Sequence, residues 1–508
     1  MRFAHFLLIK QYRNSCNRQS LISTLSASLV GIAINSLIPF LLPNPVLAQT
    51  APYCALPEDI VAQTTELRQA VAAGKRDAQV KYQTLLNDNA LKVRRCRNQS
   101  WLKEQAVWLR LYPCDIRAGS LDEIFDRIAS RGYGQVYLEV FSDGQVLLPA
   151  NNNRTAWSSV LRVPGYENRD LLAEAIAKGR QRGIKVYAWM FTLNFGYTYG
   201  QRPSAQQVLA LNGRGYNSLT FRSASGEDQV DSSEAFIDPY NLQAKQDYYT
   251  LEQAILQRQP DGMLFDYVRY PRGAGSASVA SQVQDLWIYG SAAQQALYGR
   301  ALNQKGLDLI QRFVSKGYVS AGDVSQVNTL YPKEQAPLWQ GRTPPKTPVS
   351  VTYLQSELWQ LTVAHAVQGI LDFLNMAIQP VQQRNIPAGA VFFPEANQSV
   401  GAQGYDSRLQ PWDRFPSSLE WHPMAYGICG DTSCIVSQVK RVVDLAPAGT
   451  QIEPAIAGTW GEVLNGRPSL EAQMQAIHQA TPQITSISHF AFSWQEPQYD
   501  RDRKFCRL

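Results

Sequence analysis

Hydrolysis of an acetal linkage needs two carboxyl groups, one on each side of the scissile bond, so the acids that end apolar runs are the first residues to find. Asp266 stands out. It closes the run Asp261-Gly262-Met263-Leu264-Phe265-Asp266-Tyr267-Val268-Arg269-Tyr270-Pro271, where period-2 alternation puts Leu264, Asp266 and Val268 on one face. An acid on an apolar strand is costly to bury without partners, and Arg269 is the nearby base that could supply a structural ion pair instead. Glu395, in Phe393-Pro394-Glu395-Ala396, is the second candidate, the expected general acid/base beside Asp266 as nucleophile or electrostatic stabiliser. Glu139 interrupts Val136-Tyr137-Leu138-Glu139-Val140 and is the third. Asp143 follows it in an Asp-Gly turn and serves either that turn or a ligand.

Around these acids lie groups that could hold a sugar. Trp189, Trp460 and Trp494 fall near the ends of apolar runs and could stack on a pyranose ring, and Asn194 could hydrogen-bond it. Tyr267 and Arg269 flank Asp266. His422 and Tyr426 share a face of Trp421-His422-Pro423-Met424-Ala425-Tyr426. Glu420, Glu453 and Glu496 are reserve acids; the first two stand early in their runs, where stability rather than chemistry is expected. No phosphate-binding loop, HExxH helix or nucleophile elbow is present, so neither a metal nor a cofactor is implied.

These residues need a scaffold that gathers strand ends. Apolar runs alternate with amphipathic helices, which predicts eight strands near 107–111, 135–141, 185–191, 263–268, 389–393, 419–425, 451–457 and 486–493. That count predicts an α/β fold, a (β/α)8 TIM barrel whose long insertions after strands three and four lie at the carboxyl-terminal face. A doubly wound sheet is the rival, but no glycine-rich dinucleotide turn follows the first strand. Residues 49–105 read as an N-terminal helical extension, and 106–508 as the barrel domain.

Residues 1–48 carry four of the basic side chains, Arg2, Lys10, Arg13 and Arg18, and no acid. An apolar run over 21–42 and then Val46-Leu47-Ala48 follow, the pattern of a signal peptide cleaved to leave Gln49 first. An uncleaved anchor is the alternative, and would be the one link to a membrane. Without this segment little remains of the +6 formal charge and no basic stripe exists, which argues against nucleic acid. Export to the periplasm or exterior agrees with six cysteines beyond the leader and no CxxC pair. Cys54 and Cys96 bracket the helical extension, and Cys429 and Cys434 could staple one loop. Barrel closure would bring Cys114, past strand one, to Cys506, past strand eight.

The motifs together resemble the bacterial family 10-like glycosyl hydrolases, TIM-barrel proteins of the cell envelope. Four segments carry the likeness: Gln135 to Val140 with Ser142-Asp143-Gly144; Gly183 to Trp189; Asp238-Pro239 with Asp261-Gly262 through Asp266 to Tyr270-Pro271; and His422 to Tyr426. The likeness spans about residues 106–495. Tyr187 replaces the family's usual histidine, and Tyr267 replaces a frequent second aspartate. The resemblance implies hydrolysis of a polysaccharide or peptidoglycan glycan strand containing N-acetylhexosamine. It differs from true xylanases, whose paired catalytic glutamates strands four and seven do not show in recognisable context. A non-catalytic envelope protein that binds glycans through the same cleft is the other reading.

Overall fold

The structure is a computed structural model that describes residues 53–221, 231, 233–346 and 349–506, so the expected leader over residues 1–48 lies outside the described residues. Eight parallel strands close into a barrel: β1 Glu104–Leu109, β2 Gln135–Ser142, β3 Lys185–Phe191, β4 Gly262–Asp266, β5 Ala388–Phe392, β6 Glu420–Ala425, β7 Ala455–Ala457 and β8 Ser486–Phe490. Closure is explicit in the register, where Val107 pairs with Val136 on one side and with His489 on the other. The fold is therefore the (β/α)8 TIM barrel.

Strand ends depart from the sequence expectation where local chemistry intervenes. β4 stops at Asp266 because Tyr267 adopts φ 54°, so Val268 is not on the strand face with Asp266. β7 shrinks to three residues behind Pro454, which has no N–H to give a ladder. Beyond β8 the chain coils into a short helix, Phe492–Gln495.

Several helices begin where their sequences supply caps. The Asp170 side chain accepts from Ala173 N–H at the start of α4 (Leu171–Gln181), and Asn241 from Ala244 N–H at α5 (Leu242–Leu256). Ser350 caps α6 (Val351–Gln382), and Ser469 caps α8 (Leu470–Ala480), which follows α7 (Ser433–Leu445). The excursion after β4 adds helices Ser291–Tyr298, Gln304–Lys316 and Ala321–Leu330. A small sheet of Val279–Ala280, Ser399–Val400 and Gly404–Asp406 ties this excursion to the loop after β5.

The extension forms a hairpin of α1 (Glu58–Ala72) and α2 (Arg76–Gln99), joined by a Cys54–Cys96 disulfide. Further disulfides join Cys114 to Cys506 and Cys429 to Cys434. The hairpin covers the amino-terminal ends of β1, β2 and β3 and leaves a cavity of about 960 Å³ there. That cavity is remote from the strand carboxyl ends, and four of the arginines lining it are engaged by acids: Arg68 and Arg182 by Asp126, Arg127 by Glu123 and Arg503 by Asp115. Asp126, on α3 (Ser120–Ser130), is the hub of this junction and also accepts from Tyr82 of α2 at 2.7 Å.

Asp126→Ala leaves the Arg182 guanidinium, whose side chain is 1% exposed, with Asp122 as its remaining acid. The variant should lose about 3 kcal/mol of stability, the low end for breaking a buried pair, as measured by urea unfolding against the unmodified protein.

Candidate active site

The barrel interior is filled in layers below the mouth. At the floor Tyr137 O–H donates to Glu453, and Tyr187 O–H donates to Glu420 at 3.4 Å. Trp108 lies above, edge-on to Tyr137 and Trp189, with Nε1 donating to Ser488. Glu420 and Glu453 thus serve the floor.

Asp266 sits at the top of this stack, at the carboxyl end of β4. Trp189 Nε1 donates to its Oδ2 at 3.1 Å, and the Tyr267 backbone N–H to its Oδ1 at 2.6 Å. The carbonyls of Asp266 and Tyr267 are pinned by Thr192 N–H and Leu193 N–H, which continue β3. Burial raises the carboxyl to about 6, against the pull of these donors and of Arg269, while the negative charge of Glu139 adds to the rise. A rise of this size corresponds to about 3 kcal/mol in favour of the neutral acid. Arg269 lies over the Tyr267 ring at 4.4 Å, with Phe236 and Phe393 at 5.6 and 5.7 Å.

Sequence reasoning missed one acid of this group. Glu234 lies in the excursion after β3 and accepts a 2.7 Å hydrogen bond from Tyr267 O–H. Burial raises its carboxyl to about 7, and Arg269 and the Tyr267 hydroxyl oppose the rise. The neighbouring negative charges of Asp231 and Asp143 push it up as well. Its segment is zipped to the continuation of β3 by Phe195 N–H on the Ala235 carbonyl and by an Asn194–Phe236 bridge. The available signal was an acid standing just ahead of Ala235-Phe236-Ile237-Asp238-Pro239, but no strand period marks that position. Asp238 itself anchors backbone, accepting from Tyr240 N–H and Ala293 N–H.

The other expected residues divide. Glu139 is at the mouth but paired with Arg110 at 2.6 Å, with Ser142 donating to its other oxygen. Asp143 is exposed at φ 48°, close enough to Arg110 and Glu234 to influence both. Tyr426 is near enough to Asp266 to feel its charge and lies 5.7 Å from Phe490. Its carbonyl accepts from Arg467, whose guanidinium reaches the half-buried Trp494 at 5.9 Å.

Four of the expected residues have other settings. Glu395 lies past the end of β5, and its carboxylate accepts from the Gln438 side chain of α7. Asn194 spends its side-chain oxygen on Gly196 N–H and Ala235 N–H, so it positions the Glu234 segment instead of facing a sugar. His422 is fully enclosed within the barrel, edge-on to Tyr137, with Nε2 3.5 Å from Glu420 but without hydrogen-bond alignment. Trp460 turns outside the barrel against Tyr53, His489 and Tyr133. The reserve acid Glu496 is likewise committed, to Arg127 and Arg131. Among the described residues no group of three or more His, Cys, Asp or Glu is placed to hold a metal ion.

Trp189→Phe removes a donor that favours the charged form of Asp266. The carboxyl should then titrate about one pH unit higher than in the unmodified protein, as followed by carboxylate carbon NMR.

No family model matches this chain, and no curated protein matches it. Solved structures with some likeness include a GH18 chitinase from Pseudoalteromonas aurantia, with 9% identity over 79% of this chain and 97% of that one, TM-score 0.35. A GH20 exo-β-N-acetylglucosaminidase from Vibrio harveyi has 9% identity over 80% of this chain and 53% of that one, TM-score 0.36. The spore cortex-lytic enzyme SleL from Bacillus megaterium has 7% identity over 80% and 75%, TM-score 0.33. At these scores the barrel stands on its own strand pairing and not on the likenesses.

Proposed function

We propose that this chain is an exported glycoside hydrolase that cleaves O-glycosidic bonds in a cell-wall or exopolysaccharide glycan containing N-acetylhexosamine. One observation carries the reading: a carboxyl at the end of β4, Asp266, is held by Trp189 and Tyr267 at the barrel mouth and raised by burial to about 6. Such a group is ionised at neutral pH and oriented by two donors, as a nucleophile or a stabiliser of positive charge at a sugar C1 must be. The aromatic wall of Trp189, Tyr426 and Phe490 suits a pyranose face. The N-acetylhexosamine class rests on the family resemblance of the motifs, and export on the leader pattern and the three disulfides. The reaction asks for no cofactor.

The purified protein and Asp266→Asn are incubated with denuded peptidoglycan strands and with poly-N-acetylglucosamine, and products are weighed by mass spectrometry. Shortened oligosaccharides are expected from the unmodified protein, with the variant slower by at least about 10³-fold and still binding. Cleavage by both proteins would remove Asp266 from the reaction. Binding without cleavage by either would favour the glycan-binding reading.

A further inference from the structure

The geometry points to Glu234 as the proton donor that works with Asp266, an assignment that rests on the glycoside-hydrolase reading above. Tyr267 ties the two acids together: its backbone N–H donates to Asp266 at 2.6 Å and its hydroxyl to Glu234 at 2.7 Å. The carboxyl of Glu234 therefore sits on the Asp266 side of the mouth although its segment comes from another excursion. That segment is fixed, with Ser218 Oγ donating to the Glu234 carbonyl and Asn194 accepting from Ala235 N–H. The rival acids have other employment. Glu139 is neutralised by Arg110, Glu395 is held by Gln438, and Asp143 stands exposed beside Arg110.

The environments differ in the sense that the division of labour requires. Asp266 accepts two N–H donors and titrates at about 6; Glu234 accepts one hydroxyl and titrates at about 7. Near pH 6.5 most productive molecules hold Asp266 ionised and Glu234 protonated. In the reaction, the Glu234 proton passes to the glycosidic oxygen as the C1–O bond breaks, and the bonding pair leaves with that oxygen. The Asp266 carboxylate offsets the positive charge at C1. Water then adds its oxygen to C1, and the proton it sheds restores the acid.

The test compares pH–rate profiles of the unmodified protein, Glu234→Gln and Tyr267→Phe on two probes. One is poly-N-acetylglucosamine oligomers; the other is the 2,4-dinitrophenyl glycoside of the same oligomers, whose phenolate departs without a proton. The unmodified protein should show a narrow bell on the oligomers, losing activity as pH falls through about 6 and as it rises through about 7. Glu234→Gln should fall about 10²–10⁴-fold on the oligomers and lose the alkaline limb, yet keep activity within about tenfold on the dinitrophenyl probe. Tyr267→Phe takes away a donor that favours the Glu234 carboxylate, so its alkaline limb should move to higher pH. Equal loss on both probes in Glu234→Gln, or an alkaline limb that persists there, would overturn Glu234 while leaving the hydrolase reading intact. If the unmodified protein cleaves neither probe, the hydrolase reading and the role of Glu234 fall together.

Discussion

A residue with a side chain held in the left-handed region costs about 1–3 kcal/mol, and at Tyr267 that conformation, φ 54°, falls directly after a barrel strand. The surroundings over-determine it. Leu193 N–H holds the Tyr267 carbonyl, Phe191 packs against its ring at 4.2 Å and Arg269 lies across that ring. In return the turn swings the Tyr267 N–H onto the Asp266 carboxylate and its hydroxyl onto Glu234. An ordinary extended residue there would carry β4 onward and point its ring to the helix side of the barrel. The arrangement of acids at the mouth depends on this single bend.

Beneath the mouth, the floor explains two glycines together. A Cβ on Gly262 would come within 2.5 Å of the Tyr187 ring, and one on Gly389 within 2.7 Å of His422 Nε2. The Asp-Gly that opens β4 is thus required by the tyrosine on β3, whose hydroxyl meets Glu420. Glu453 is enclosed with Tyr137 as its donor, and burial lifts its carboxyl to about 7. These polar groups face one another at the end of the barrel opposite Asp266. They give Trp108, Trp189 and ultimately Asp266 a fixed base.

What the sequence made legible followed from period and count. Alternation placed Asp266, Glu139 and Trp189 at the carboxyl ends of inward-facing strand positions, and eight apolar runs with intervening helices announced the barrel. Barrel closure likewise brought Cys114 into reach of Cys506. The failures lie past the strand ends, where no period constrains a side chain. Glu395 lies three residues past the end of β5 and is held by Gln438, whereas Asp266 is the last residue of β4. Trp460 follows β7 and folds down the outside onto Tyr133. His422 obeyed the alternation yet sits too deep, because position along a strand decides floor or mouth as much as face does. Glu234 stayed hidden in a long polar excursion, since it is the pairing of 235–237 with the continuation of β3 that brings it back to the barrel.

The setting of Arg269 decides which electrostatic effect governs the site. A bidentate pair between this guanidinium and Asp266 would pull the carboxyl below the ordinary aspartate range, because a close opposite charge outweighs moderate burial. Instead three aromatic rings surround the guanidinium, and its Nη1 donates to the Tyr270 carbonyl at 3.0 Å. Its charge therefore acts on Asp266 and Glu234 from a distance, lowering both without neutralising either. Burial then remains the larger effect at both acids, and each titrates near neutrality. Glu139, whose charge reaches Asp266, is instead contacted directly by Arg110 at 2.6 Å. Two acids and one arginine held apart by aromatic packing retain the protonation freedom that acid–base chemistry uses, and a closed ion pair gives that freedom up.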